Sequence, residues 1–161
     1  RAASTIINAR AETVATRPAF ADAFARRRCL VPADGFFEWR REGAVRQPYH
    51  IRPAAGELFA YAGLWDPWLG AEEDLRGAFA ILTTDAAPAI AWLHDRMPVL
   101  LPLESQGRWL GSEEPEQLAA LLVPSTQPLV VHPVSTRVNS SEPDDPALVE
   151  PVPAAQPSLF G

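Results

Sequence analysis

From Cys29 to Thr83 the chain carries five β-prone runs, most of them separated by only a handful of residues. They are Cys29–Val31, Phe36–Arg40, Pro48–Arg52, Leu58–Trp65 and Ala78–Thr83. Strands joined this tightly cannot be parallel neighbours, because a parallel crossover needs a dozen residues or more. Ala33-Asp34-Gly35 and Glu42-Gly43 supply turn chemistry between them. The runs alternate. Phe37 and Trp39 fall on one side of their strand, with Phe36, Glu38 and Arg40 on the other. Phe59, Tyr61, Gly63 and Trp65 likewise share a side. The reading is an α+β fold with a mostly antiparallel, curled, barrel-like sheet.

Helices are few and short. Pro18 occupies a first-turn position, and Phe20 and Phe24 are four apart, which predicts a helix over Pro18–Arg27. Arg26-Arg27-Arg28 then sits at its C-terminal end, where positive charge suits the helix dipole. A brief helix is expected over Pro88–Leu93, and two more over Leu103–Leu110 and Pro115–Leu122. Ser4–Ala9, Val99–Leu101 and Leu129–Val134 read as further strands, and the acidic stretch Gly70–Asp74 as a surface loop. Residues 1–139 read as one domain. Five prolines over residues 140–161 predict a tail with little regular structure.

Of the 161 residues, 47% are apolar and 21% charged, enough to bury a core without staples. Cys29 is the single cysteine, which excludes an internal disulfide and a cysteine-based zinc site, and fits a reducing cytoplasm. His50, His94 and His132 lack metal-ligand spacing, so neither metal nor cofactor is expected. No apolar run is long enough for a membrane helix. The N-terminus has no signal-peptide pattern, and, without an initial Met, reads as processed or truncated. The net charge of −6 argues against nucleic acid, but its distribution does not. Residues 1–53 hold ten arginines against five acids, which can form a local phosphate-binding face.

Three polar islands interrupt the apolar pattern. Asn8, in Asn8-Ala9-Arg10-Ala11-Glu12-Thr13, follows a β-prone run and either aims its amide into a site or sits in a solvated turn. Glu38 is flanked by aromatics on a strand. If buried, its pKa rises and it becomes a usable acid or base; otherwise it faces water, with Arg40 beside it as a partner. His94, in His94-Asp95-Arg96-Met97-Pro98, is either a proton shuttle or a helix-end surface residue. Cys29 sits in the apolar run Cys29-Leu30-Val31-Pro32 and reads as a buried structural thiol.

Taken in order, these blocks are more specific than any one alone. Asn8 to Thr13, Phe20 and Phe24, and Arg27 through Trp39 lead the series. Pro48-Tyr49, Ala62-Gly63-Leu64-Trp65, Leu82-Thr83-Thr84, His94 to Pro98 and Val134-Ser135-Thr136-Arg137-Val138-Asn139 continue it. Together they resemble the signature of the SOS-response-associated peptidase (SRAP) domain over about residues 5–139. The resemblance implies an SRAP-like fold. It also implies covalent capture of abasic sites in single-stranded DNA, within the DNA damage response, by a monomer in the cytoplasm at the nucleoid. The family's nucleophile is an N-terminal cysteine whose α-amine and thiol trap the sugar aldehyde as a thiazolidine. The opening Met-Cys-Gly segment and roughly the first third of the usual domain are expected to be missing here. By resemblance, Asn8 orients the amine and sugar, Glu38 carries a proton, and His94 assists Schiff-base chemistry. Arg10 and Arg96 match positions that hold phosphates, Trp39 packs against flanking nucleotides, and Thr83 lines the strand. The alternatives are a peptidase limited to processing its own N-terminus, in keeping with the family's name, and a non-catalytic single-strand-binding remnant.

Overall fold

The structure, a computed structural model, describes residues 7–42, 45–56, 58–67, 77–111 and 114–153. Nine strands and three helices follow in chain order among them. The strands are β1 (Asn8–Arg10), β2 (Arg28–Ala33), β3 (Phe36–Glu42), β4 (Val45–Pro53), β5 (Phe59–Pro67), β6 (Gly77–Asp85), β7 (Arg96–Pro98), β8 (Leu100–Leu101) and β9 (Leu129–Pro133). The helices are α1 (Ala21–Arg26), α2 (Leu103–Leu110) and α3 (Pro115–Ala119). The chain forms two compact units, one from residues 1–33, 58–87 and 96–126, the other from 34–57, 88–95 and 127–161.

The first unit is built on a six-stranded sheet with the main order β1-β6-β5-β2, to which β7 adds through β6 and β8 through β5. Every pair is antiparallel except β1 with β6, which places Asn8 opposite Ile81 and Arg10 opposite Thr83. Its core gathers Phe24, Leu64, Leu82, Val99, Leu101 and the fully buried Trp109. Trp109 meets Phe24 at 6.0 Å between centroids and donates its indole N–H to the Cys29 carbonyl at 2.9 Å. Truncating such a side chain costs about 3–5 kcal/mol. Arg28 works at the C-terminal end of α1, as the clustered arginines suggested. Its guanidinium donates to the carbonyls of Phe24 and Ala25, and across to those of Trp109 and Gly111 at the end of α2. Helix-end carbonyls that lack intrahelical partners are thereby satisfied.

The second unit is an antiparallel three-stranded sheet, β3-β4-β9. Buried Gln47 locks it, its amide donating to the carbonyls of Pro48 and Val134, both at 2.9 Å. The pairing sorts side chains by face. Glu38 lies opposite Tyr49, and Arg40 opposite Gln47, on one face. Phe37 opposite His50 and Trp39 opposite Pro48 lie on the other. The C-terminal segment is more regular than its prolines suggested. A 3-10 turn at Pro146–Val149, capped by the Asp145 carboxylate, returns to β9 through a bond from the Val152 N–H to the Pro133 carbonyl.

The barrel-like expectation is corrected. Among the described residues neither sheet closes or curls into a barrel. The cause is partner choice. β2 pairs with β5, about thirty residues downstream, so the β3–β4 hairpin between them builds a separate sheet with β9. Two helices are also shorter than predicted. Phe20 has φ −127° and ψ −20° and precedes α1 instead of joining it, and α3 stops at Ala119. Residues 88–93 form turns rather than a helix, with N–H groups of Leu93 and His94 both bonded to the Ile90 carbonyl. The strand expected at Ser4–Ala9 is seen as Asn8–Arg10; residues 4–6, Gly43 and the stretch 70–74 lie outside the described residues.

Candidate active site

The second unit brings Glu38 and His94 together. Glu38 projects from the middle of β3, a place fixed by pairing with Tyr49. His94 follows the turns at 88–93. Partial burial pushes the Glu38 carboxyl above the usual carboxylate range. The charge of His94 and a hydrogen bond from the Trp39 backbone N–H pull it down, and Asp95 pushes it up. His94 is itself half-exposed, with Nδ1 3.1 Å from Asp95 Oδ1. A carboxyl whose hold on its proton is strengthened by burial, within electrostatic reach of an imidazole, is suited to general acid–base work. Of the two alternatives left open for Glu38, the partly buried one is the one observed.

Trp39, one residue further on, belongs to the opposite face. Its indole N–H donates to Asn139 Oδ1 at 2.6 Å, and the Arg46 guanidinium lies 5.9 Å from its ring centroid. These residues, with Val138, Ser140 and Ser141, line an open cleft of about 540 Å³.

The first unit carries Asn8, Arg10, Thr83 and Arg96. Asn8 and Arg10 are exposed on either side of buried Ala9, and therefore share the outer face of β1. The register sets Thr83 beside Arg10. Thr83 Oγ1 donates to the Ala9 carbonyl at 3.4 Å. Arg96 is held by acids: it meets Glu12 through both terminal nitrogens, reaches Asp85 at 2.9 Å, and donates to the Thr83 carbonyl at 2.6 Å. Glu12 is accordingly held below its ordinary range, mainly by the Arg96 hydrogen bond.

Cys29 is half-buried on β2, and burial pushes its thiol up, away from the nucleophilic thiolate. Its Sγ fills the space over Gly63, where a Cβ would lie 2.8 Å away. Among the described residues no group of three or more His, Cys, Asp or Glu is placed to hold a metal ion, and no helix is long and apolar enough to cross a membrane. Two features escaped sequence reasoning. One is Glu12 as the partner of Arg96, across 84 residues. The other is Trp92, an exposed aromatic two positions before His94.

Residues 1–141 match the family model described as SOS response associated peptidase (SRAP). The chain belongs to that family. Among its relatives, the abasic site processing protein YoqW of Bacillus subtilis is 36% identical over 149 residues, covering 90% of this chain and 66% of the relative. YedK of Escherichia coli, also named an abasic site processing protein, is 34% identical, covering 91% and 68%. HMCES of Xenopus tropicalis, which bears the same description, is 33% identical, covering 86% and 48%. A crystal structure of a Bacteroides thetaiotaomicron protein superposes with a TM-score of 0.83 at 32% identity, covering 90% of this chain and 65% of that one. The chain thus spans about two thirds of the length of its bacterial relatives.

Proposed function

We propose that this protein processes abasic sites in DNA, and that it does so by capturing them in single strands as a covalent cross-link. The observation that carries the reading is the placement of the partly buried Glu38 and His94 in one unit, within electrostatic reach of each other. It is supported by relatives named abasic site processing proteins. The nucleophile in this proposal is a cysteine with a free α-amine, supplied from outside the 161 residues. Cys29 is internal, has no α-amine, and is disfavoured as a thiolate.

Glu38 moves the proton that opens the sugar hemiacetal to its aldehyde. The α-amine adds to that carbon, and water leaves as the imine forms. The thiol sulfur then adds to the imine carbon, and the proton passes to nitrogen, closing a thiazolidine. Amine and thiol share one residue, so closure is intramolecular and gains the corresponding entropic advantage. Asn8 orients the amine and the sugar, and His94 assists formation and reversal of the imine. Arg10, Thr83, Arg96 and Trp39 contact the strand.

The test is incubation of the full-length protein with single-stranded DNA containing one abasic site, read on a denaturing gel. A protein–DNA band that survives denaturation is expected. Absence of that band while a peptide is turned over favours a peptidase instead. Salt-sensitive binding without the band favours a non-catalytic binding module.

A further inference from the structure

We infer that Trp92, supported by Arg40 and Tyr49, is a stacking platform for one unpaired nucleotide next to the Glu38–His94 pair, a site that rests on the DNA-capture reading above. Trp39 lies on the far face of β3 from Glu38, so it cannot serve as the aromatic on the Glu38 side of this sheet. Trp92 does occupy that side. Its ring meets Tyr49, the cross-strand partner of Glu38, edge-on at 5.2 Å and 87°. The guanidinium of Arg40, on the same β3 face as Glu38, lies 5.3 Å from the Trp92 centroid. The indole N–H is bonded to the Ala89 carbonyl at 3.0 Å, which fixes the ring's orientation.

The ring is held in place by Tyr49, Arg40 and the Ala89 carbonyl, yet stays 49% exposed, which leaves aromatic surface open to a ligand. Its chemistry fits an unpaired nucleotide. The indole accepts any base, because every base has a π-face, and Arg40 brings positive charge for the adjoining phosphate. An abasic residue has no base of its own to stack. Grip on a neighbouring base is then the means of holding the strand while its sugar reacts.

The experiment measures equilibrium binding of the full-length protein to labelled single strands by fluorescence anisotropy. Each strand carries one stable base-free (tetrahydrofuran) site, and a second base-free position is stepped along either side. The parent protein is expected to lose affinity when one particular flanking base is removed. Trp92→Ala is expected to bind the singly base-free strand about 5- to 150-fold more weakly, the range for loss of one base–aromatic stack. It should also become indifferent to that flanking base, whereas Trp92→Phe keeps both properties. Trp92→Met preserves apolar bulk without a ring, and serves in place of the alanine variant should that fail to fold. Parental affinity in the ring-less variants, or an unchanged dependence on the flanking base, overturns the inference. Such a result leaves the capture reading intact, because capture is scored separately by the parent's denaturation-resistant band. A parent that binds these strands but forms no band with a strand carrying an aldehyde-bearing abasic site removes the capture reading alone.

Discussion

Arg96 grips Glu12 with two hydrogen bonds, 2.7 Å to Oε1 and 2.9 Å to Oε2, and so fastens the segment after β1 to strand β7. Asp85 approaches the same guanidinium at 2.9 Å. A cation gripped by two carboxylates is a poor phosphate ligand until one of them gives way. Glu12→Gln is therefore expected to tighten binding to undamaged single-stranded DNA. The salt dependence should steepen by up to about 0.7 in the log–log slope, one added phosphate contact on a single strand. The stability cost should stay within about 1 kcal/mol, since Glu12 is nearly half exposed. The sign with pH follows from the lowered pKa of Glu12. Its contribution is present above the unfolded-state value and lost as pH falls through the folded one, so parent and variant should converge in acid. Denaturant melts at several pH values, with anisotropy titrations against salt, measure both effects. Unchanged or weaker DNA binding would mean that Arg96 serves only as a clamp.

Cys29→Ala tests whether the lone thiol takes any part in capture. Its Sγ packs over Gly63, and burial disfavours its thiolate. Capture by the full-length variant should match the parent, with a stability loss on the order of 1 kcal/mol from the small cavity. Loss of capture in a variant that still melts cooperatively would make Cys29 a participant.

Much of the fold was legible because alternation states which side chains share a face. Glu38 and Trp39 were separated by alternation alone, and the observed pairing keeps them apart. Alternation does not state which strands pair. That is why one curled sheet was expected where β2 joins β5 and β3–β4 joins β9. The parallel register of β1 on β6 was hidden for the same reason, with more than seventy residues between partners. The candidate site was legible as a set of residue types, but its electrostatics were not. The partial desolvation of Glu38 and the acids around Arg96 depend on segments distant in sequence. Trp92 went unnoticed because nothing in its local pattern distinguishes an exposed indole from a core one.

Gly35 illustrates a residue whose purpose lies in packing instead of turn geometry. It was read as turn chemistry, yet among the described glycines only Gly56 has a positive φ. A Cβ on Gly35 would overlap Nε2 of His50 and lie 2.8 Å from Cε1. That ring has little room to yield, being 6% exposed and set between Phe37 at 5.3 Å and His132 at 5.4 Å. Gly35→Ala is expected to cost about 1–3 kcal/mol, the usual range for overpacking. The midpoint of urea unfolding measures it. A loss under a few tenths of a kcal/mol would show that His50 swings aside freely.

Glu38→Gln separates chemistry from binding and carries a distinctive pH signature. As a proton carrier, Glu38 should contribute about 10²-fold or more to the rate of adduct formation, while DNA affinity stays close to parental. Stability should move the other way. Burial raises the folded-state pKa of Glu38 above its unfolded value. Between those two values the native state binds the extra proton, so parental stability falls as pH rises through that window and stays lower above it. The glutamine variant has no charge to desolvate. It should match the parent below the unfolded carboxyl pKa, and exceed it in stability near neutrality. Single-turnover capture rates, with denaturant midpoints from acid to neutral pH, test the two halves independently. A variant that captures at the parental rate removes Glu38 from the proton path, whatever its stability. A slower variant that gains no stability at neutral pH would place the rate defect in the geometry of the site, and not in a carboxyl held protonated by its surroundings.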